Sequence, residues 1–166
     1  MEPPAKAISQ AIYFYKAYEP YGCFSNFSPH PIDCEGKHWA TVEHFYQAQK
    51  FLQTPDAAII PKIQQAPTPE EAAALGRSPL YAPRHDWEQI KRAVMWQGLL
   101  SKFQTHQDIA AILLATGQAE LIEDSPVDYY WGCGADGSGY NYLGKLLMQV
   151  RELLRNPGNP SSKVFS

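Results

Sequence analysis

The chain has 166 residues, enough for one domain with a substantial core and no need of covalent staples. A formal charge of −3 and a pI near 5.9 leave no basic footprint for sequence-independent nucleic-acid binding, although an enzyme acting on one modified base is not excluded. Ten tyrosines and four tryptophans supply flat faces that stack on a ring as readily as they fill a core.

The opening "MEPPAK" lacks the apolar centre of a signal peptide, and no run reaches the ~20 apolar residues of a membrane span. The expected location is the cytoplasm. "AIYFY" (11–15) reads as a strand, and "YGCFSNFSPHP" as part of a loop from Lys16 to Pro31. "IDCEGKHW" reads as strand, turn and strand with Gly36 at the bend. Thr41 is placed to cap a helix over about 42–53, and Pro55 and Pro61 limit any helix between them. "TPEEAAALG" carries Thr68 as N-cap, Pro69 as the first helical residue, Glu71 as capping-box partner and Gly76 as stop.

Asp86 stands before a long helix from Trp87 to about Gln104. Its Ile90, Val94, Trp96, Leu99, Leu100 and Phe103 span so much of the circumference that it should be largely buried. "QDIAAILLATG" is a further apolar helix ending at Gly117, and "AELIEDS" a strand. The last helix repeats Leu143, Leu146, Leu147, Val150 and Leu154 at helical spacing. The expected organisation is α+β: a single, mainly helical domain with a small β-sheet. It runs over 12–155, between an N-terminal extension at 1–11 and a flexible tail at 156–166.

"GCGADG" (132–137) has the letters of a dinucleotide loop, but Ser138, Gly139 and Tyr140 separate it from the next helix, so its glycines are expected to serve a tight turn or close approach to a ligand. Cys23, Cys34 and Cys133 include no CxxC pair, and the five histidines include no i,i+4 pair beside a carboxylate, so no metal or cofactor is expected. Ser25 lacks the context of a catalytic nucleophile. Carboxylates are the better candidates. In "ATVEHFYQAQKF", helical geometry puts Glu43, Gln47 and Lys50 on one stripe, with Phe45, Ala48 and Leu52 on the other. The stripe reads either as a solvated face or as a pocket wall. Asp128, beside Tyr129, Tyr130 and Trp131, reads equally as a turn residue and as a tuned carboxylate. Two such groups suffice to split an N-glycosidic bond, one easing positive charge at the anomeric carbon and the other handling a proton. Lys50 reads as a surface lysine, or as an amine made nucleophilic near a carboxylate and rings.

"FSNF" (24–27), "EGKHWATVEHFYQAQKF" (35–51), "LGR" (75–77), Trp87, "KF" (102–103), "LLATGQAELIEDSPVDYYWGCG" and "GYNYLGKLLMQVRELL" follow one another in an order that resembles the NADAR domain, in its compact bacterial YbiA-like branch. The resemblance runs from about residue 12 to 155, with segment 54–66 locally different. It implies an N-glycosidase that hydrolyses phosphoribosylamino-pyrimidine and -pyrimidinone intermediates of riboflavin synthesis, releasing ribose 5-phosphate. Other members of the family remove ADP-ribose from guanine in nucleic acid, which is the alternative activity; a non-catalytic binder of ADP-ribose or NAD is a third. The partner expected is therefore a small phosphoribosyl substrate, with modified nucleic acid under the alternative.

Carried over by motif, Glu43, Asp128 and Lys50 are the implied catalytic residues, Lys50 either pairing with an anion or attacking the ring-opened sugar as a Schiff base. Trp87 and Trp131 would stack on or shape the base slot. Asn26, Arg77, Lys102 and Asn141 would hold phosphate or ribose hydroxyls, arginine through its planar fork. The resemblance, not the periodicity, turns the Glu43 stripe into a pocket wall.

Overall fold

The computed structural model describes residues 10–158. In chain order the elements are β1 (Ala11–Phe14), β2 (Ile32–Cys34), β3 (Lys37–Trp39), α1 (Val42–Gln49), α2 (Ile60–Gln64), α3 (Pro69–Arg77), α4 (Trp87–Thr105), α5 (Gln107–Ala115), β4 (Glu120–Glu123) and α6 (Tyr142–Arg155), with short 3-10 turns at Gly22–Phe24 and Ala57–Ile59. The small sheet is two separate pairs. β1 lies parallel to β4, Ala11 opposite Glu120 through Phe14 opposite Glu123, and β2 and β3 form an antiparallel hairpin. Glu35 and Gly36 both take positive φ, 54° and 73°, as a two-residue turn matched to strand twist requires.

The helices close around these pairs. Leu143, Leu146, Leu147 and Val150 of α6 are buried, together with Val94, Leu99 and Phe103 of α4 and Phe14 and Leu121 of the parallel pair. α4 is not buried over most of its circumference. Glu88, Gln89, Arg92 and Gln97 form an exposed side, and Ile90, Trp96 and Leu100 lie at its margins. Among the described residues no helix is long and apolar enough to cross a membrane. The N-terminal extension expected at 1–11 and the tail at 156–166 lie, for 1–9 and 159–166, outside the described residues.

Local signals set most helix starts. Thr41 Oγ1 accepts the His44 amide and Thr68 Oγ1 the Glu71 amide, each satisfying a donor the helix leaves free. Pro61 sits in the first turn of α2, where its missing N–H does no harm. Asp86 makes no side-chain cap, because Arg84 takes both its carboxylate oxygens, Nε to Oδ1 at 2.5 Å and Nη2 to Oδ2 at 2.9 Å. α1 ends at Gln49 rather than near 53, and Leu52, beyond it, is exposed instead of packed.

Gly76 does not stop α3, which continues to Arg77. A Cβ there would lie 2.1 Å from Gln47 Oε1, so the glycine serves close approach of α1 to α3. The glycine-rich segment does similar work. The loop between β4 and α6 folds back on the strand end, where the Cys133 amide donates to the Glu123 carbonyl at 2.9 Å. A Cβ on Gly132 would sit 2.9 Å from that same carbonyl oxygen. Close approach is made to β4 itself.

Candidate active site

A cleft of about 250 Å³ lies between α1, the loop at Ser25–Phe27, the end of α3, α4, the end of β4 and the loop that follows it. Glu43 and Gln47 of α1 form its floor and are 3% and 1% exposed, which excludes a solvated face for this stripe. α1 buries every residue from Val42 to Ala48, so its polar residues must find partners inside. Gln47 Nε2 donates to Glu43 Oε1 at 2.6 Å, Asn26 adds a side-chain hydrogen bond, and Arg77 Nη2 stands 3.9 Å from Glu43 Oε1. Burial pushes the Glu43 carboxyl up, while Gln47, Arg77, Lys50 and Asn26 pull it back toward the anion.

Lys50 projects from the end of α1 into the same space. Its Nζ donates to the Gly76 carbonyl at 3.3 Å and lies 5.7 Å from the Tyr46 ring centroid. Burial lowers its ammonium to about 8; Glu43 acts in the opposite sense, and Arg77 and Lys91 reinforce the fall. The Arg77 side chain is 66% exposed at the mouth, and Lys91 on α4 lines the wall below Tyr130 at 3.8 Å from its ring centroid.

Asp128 takes the turn role open to it and also reaches the cleft. Its Oδ1 accepts the amides of Tyr130 at 2.9 Å and Trp131 at 2.7 Å, a turn-fixing role, and the residue also lines the cleft. Trp131 lines it too, with its ring edge-on to Tyr46 at 5.6 Å and hydrogen-bonded to that side chain. Burial drives the Tyr46 hydroxyl far above its usual range.

Residues 13–155 match the NADAR domain. The chain belongs to the NADAR family. It is 59% identical over 145 residues to an N-glycosidase of Nostoc punctiforme, covering 87% of this chain and 93% of that one. The NMR structure of Escherichia coli YbiA matches the fold with a TM-score of 0.81 at 44% identity, covering 89% of this chain and 86% of that one. The chloroplastic riboflavin biosynthesis protein PYRR of Zea mays is 44% identical over 165 residues, or 92% of this chain and 26% of that protein.

In this NADAR domain the cleft gathers Glu43, Lys50, Asp128, Trp131, Asn26 and Arg77, and leaves out three residues expected to touch substrate. Trp87 is buried behind the wall, 5.0 Å from the Tyr46 centroid and beneath Lys50, so it supports Tyr46 instead of offering a face. Lys102 is fully buried; its Nζ donates to the Ser25 carbonyl at 2.9 Å and holds the Asn26 loop to α4, and burial brings the ammonium down to about 7. Asn141 spends both ends of its amide on β4, accepting from the Glu123 amide and donating to the Leu121 carbonyl, each at 2.9 Å. It anchors a strand and does not line the cleft.

One cleft residue escaped the sequence reading. Glu123, the last residue of β4, lines the cleft, and its Oε2 is buried with no hydrogen-bond partner among the described residues. Burial, reinforced by Asp128 and Glu43 and opposed by Arg77, pushes its carboxyl up to about 8. A signal was present: alternation along a strand puts residue 123 on the same side as Leu121, which is fully buried. Glu123, Asp128 and Arg77, with Ser25 and Phe27, also line an adjoining lobe of about 350 Å³ walled by Tyr15, Tyr18 and Val127.

Proposed function

We propose that this protein hydrolyses the C–N glycosidic bond of phosphoribosylamino-pyrimidine and -pyrimidinone intermediates of riboflavin biosynthesis, releasing ribose 5-phosphate, as a cytoplasmic enzyme acting on a small molecule. The observation that carries the reading is the sealed Glu43 carboxylate at the floor of a cleft whose wall and mouth bring Lys50, Arg77 and Lys91. The names of the relatives, N-glycosidase in two cases and riboflavin biosynthesis protein in the third, agree with it.

Breaking a bond between an anomeric carbon and nitrogen builds positive charge on that carbon. An anion held rigidly in a water-poor site favours that charge more than it favours the neutral substrate, which lowers the barrier. Glu43 is so held by Gln47 and Asn26. Asp128, with one oxygen fixed by two amides, stands in the same cleft and is the second carboxylate for the attacking water. Arg77, Lys50 and Lys91 supply the cations for a phosphate, and Trp131, Tyr130 and Phe27 the faces for a flat ring. Lys50 also has a lowered ammonium, which gives it an accessible free amine.

Mass-spectrometric product analysis tests the reading. The purified protein is offered a phosphoribosylamino-pyrimidine and, separately, an ADP-ribosylated guanine oligonucleotide, beside Glu43→Gln. Release of ribose 5-phosphate, reduced by about 10²–10⁴-fold in the variant, is the expected result. Release of ADP-ribose alone moves the activity to modified nucleic acid, and saturable binding without turnover makes the protein a binder.

A further inference from the structure

Glu123 has no part in the scheme above, yet its position is unusual. We propose that Glu123 is the acid that protonates the departing nitrogen, the geometry being a side chain that lines both lobes of the cleft and whose buried Oε2 has no hydrogen-bond partner among the described residues. The proposal rests on the N-glycosidase reading.

The first lobe, about 250 Å³, is small for a substrate with both a heterocycle and a phosphorylated sugar; with the adjoining 350 Å³ the cleft reaches the ordinary size for small-molecule sites, roughly 300–1,000 Å³. Whichever lobe takes the ring, the bond joining ring to sugar crosses the residues that line both: Ser25, Phe27, Arg77, Glu123 and Asp128. Phe27 has no exchangeable side-chain proton, and a guanidinium does not release one near neutrality. The Ser25 hydroxyl accepts the Phe27 amide at 3.2 Å and is not acidic enough to donate outright. Asp128 uses Oδ1 as an acceptor for two amides. Glu123 remains.

Its setting separates it from Glu43. Burial raises both carboxyls, but Glu43 also receives hydrogen bonds from Gln47 and Asn26 and feels both Arg77 and Lys50, all of which favour its anion. Glu123 faces the carboxylates of Asp128 on the loop and Glu43 on α1, with Arg77 of α3 the cation opposing them; the Cys133 thiol lies nearby on the returning loop. Neighbouring carboxyl groups held in such unequal surroundings divide into one acid and one anion. Glu123 therefore carries its proton at neutral pH, with the level of about 8 supporting what the geometry indicates. Its backbone is immobilised as a donor requires: Asn141 Oδ1 accepts its N–H and the Cys133 amide donates to its carbonyl, both at 2.9 Å. Asn141 is a positioning residue for it.

In the step itself, the Glu123 carboxyl proton passes to the glycosidic nitrogen as the C1′–N bond breaks, and the bonding pair leaves with the amine. Water adds its oxygen to C1′ and gives its proton to the opposing carboxylate, and exchange with solvent restores both groups. The balance is N-glycoside plus water to free sugar phosphate plus amine.

The test compares two leaving groups on the full-length protein. One substrate is the phosphoribosylamino-pyrimidine; the other is 4-nitrophenyl riboside 5-phosphate, whose nitrophenolate departs without a proton. Glu123→Gln should lower kcat/KM by about 10²–10⁴-fold on the first and only several-fold on the second. Wild-type kcat/KM should fall more steeply on the alkaline side with the first substrate than with the second, which keeps only the fall that loss of the Lys50 ammonium near 8 imposes on both. Full activity of the variant on the amine substrate, or equal loss on both, overturns the proposal. Should the Gln variant fail to fold, the two wild-type profiles decide, and the same alkaline profile on both substrates overturns it. Wild-type protein inert toward the amine substrate instead defeats the N-glycosidase reading and this proposal with it.

Discussion

Glu123→Gln should change how stability depends on pH, apart from any effect on turnover. The folded protein holds this carboxyl up to about 8 against an ordinary 4.5, so between those values it keeps a proton that the unfolded chain has released. A raised folded-state value means stability is fully present below pH 4.5 and is lost as the pH climbs toward 8. The slope is at most about 1.4 kcal/mol per pH unit, so from pH 5 to 7 this group removes about 2–3 kcal/mol. For a domain of this size, 1 kcal/mol moves Tm by about 2–4 °C. The amide does not titrate, and every other group, Glu43 included, is common to both proteins. The variant's Tm relative to wild type should therefore rise by roughly 5–10 °C between pH 5 and 7. Differential scanning calorimetry at pH 5, 6, 7 and 8 measures the difference. A constant offset, even a large one from an orphaned amide, refutes the reasoning, and a change of opposite sign shows Glu123 to be a stabilised anion.

Gly76→Ala, which by helix propensity alone would stabilise by about 1 kcal/mol, should instead destabilise by about 1–3 kcal/mol, because the new Cβ would meet Gln47 Oε1 at 2.1 Å and pull Gln47 from Glu43. Urea unfolding measures it, and a more stable variant shows that the contact yields freely. Asn141→Ala orphans the Glu123 amide and the Leu121 carbonyl, at about 1–3 kcal/mol each, and should lower kcat with KM little changed. A rise in KM alone would return Asn141 to substrate contact. If Lys50 attacks the ring-opened sugar, its amine and the C1 aldehyde lose water to form an imine. Borohydride with ribose 5-phosphate should then fix a covalent adduct on Lys50, increasingly as the pH rises through about 8 and never in Lys50→Met. Absence of adduct at every pH leaves Lys50 as a binding ammonium.

The distinction between stripe and pocket shows where sequence reasoning stops. Periodicity places Glu43, Gln47 and Lys50 on one line, but whether that line meets water depends on the Ser25–Phe27 loop and α3, which arrive from distant parts of the chain. Family resemblance selected Glu43, Lys50, Asp128, Trp131, Asn26 and Arg77, which the fold brings to one cleft. At Trp87, Lys102 and Asn141 it selected residues that hold the walls of the cleft, since a motif does not separate a residue that touches substrate from one that supports it.

What this sequence determined by itself is local. The Thr41 and Thr68 caps, the Glu35–Gly36 turn and the Leu143–Val150 stripe each depend on groups within a few residues of one another, so the chemistry is readable along the chain. What only the tertiary structure decided is non-local: the parallel pairing of β1 with β4, the use of Gly76 and Gly132 for close approach, and the burial that sets the protons of Glu43, Glu123 and Lys50. Desolvation and like-charge repulsion are properties of neighbours in space, and a carboxyl group acquires them only when the folded chain brings those neighbours together.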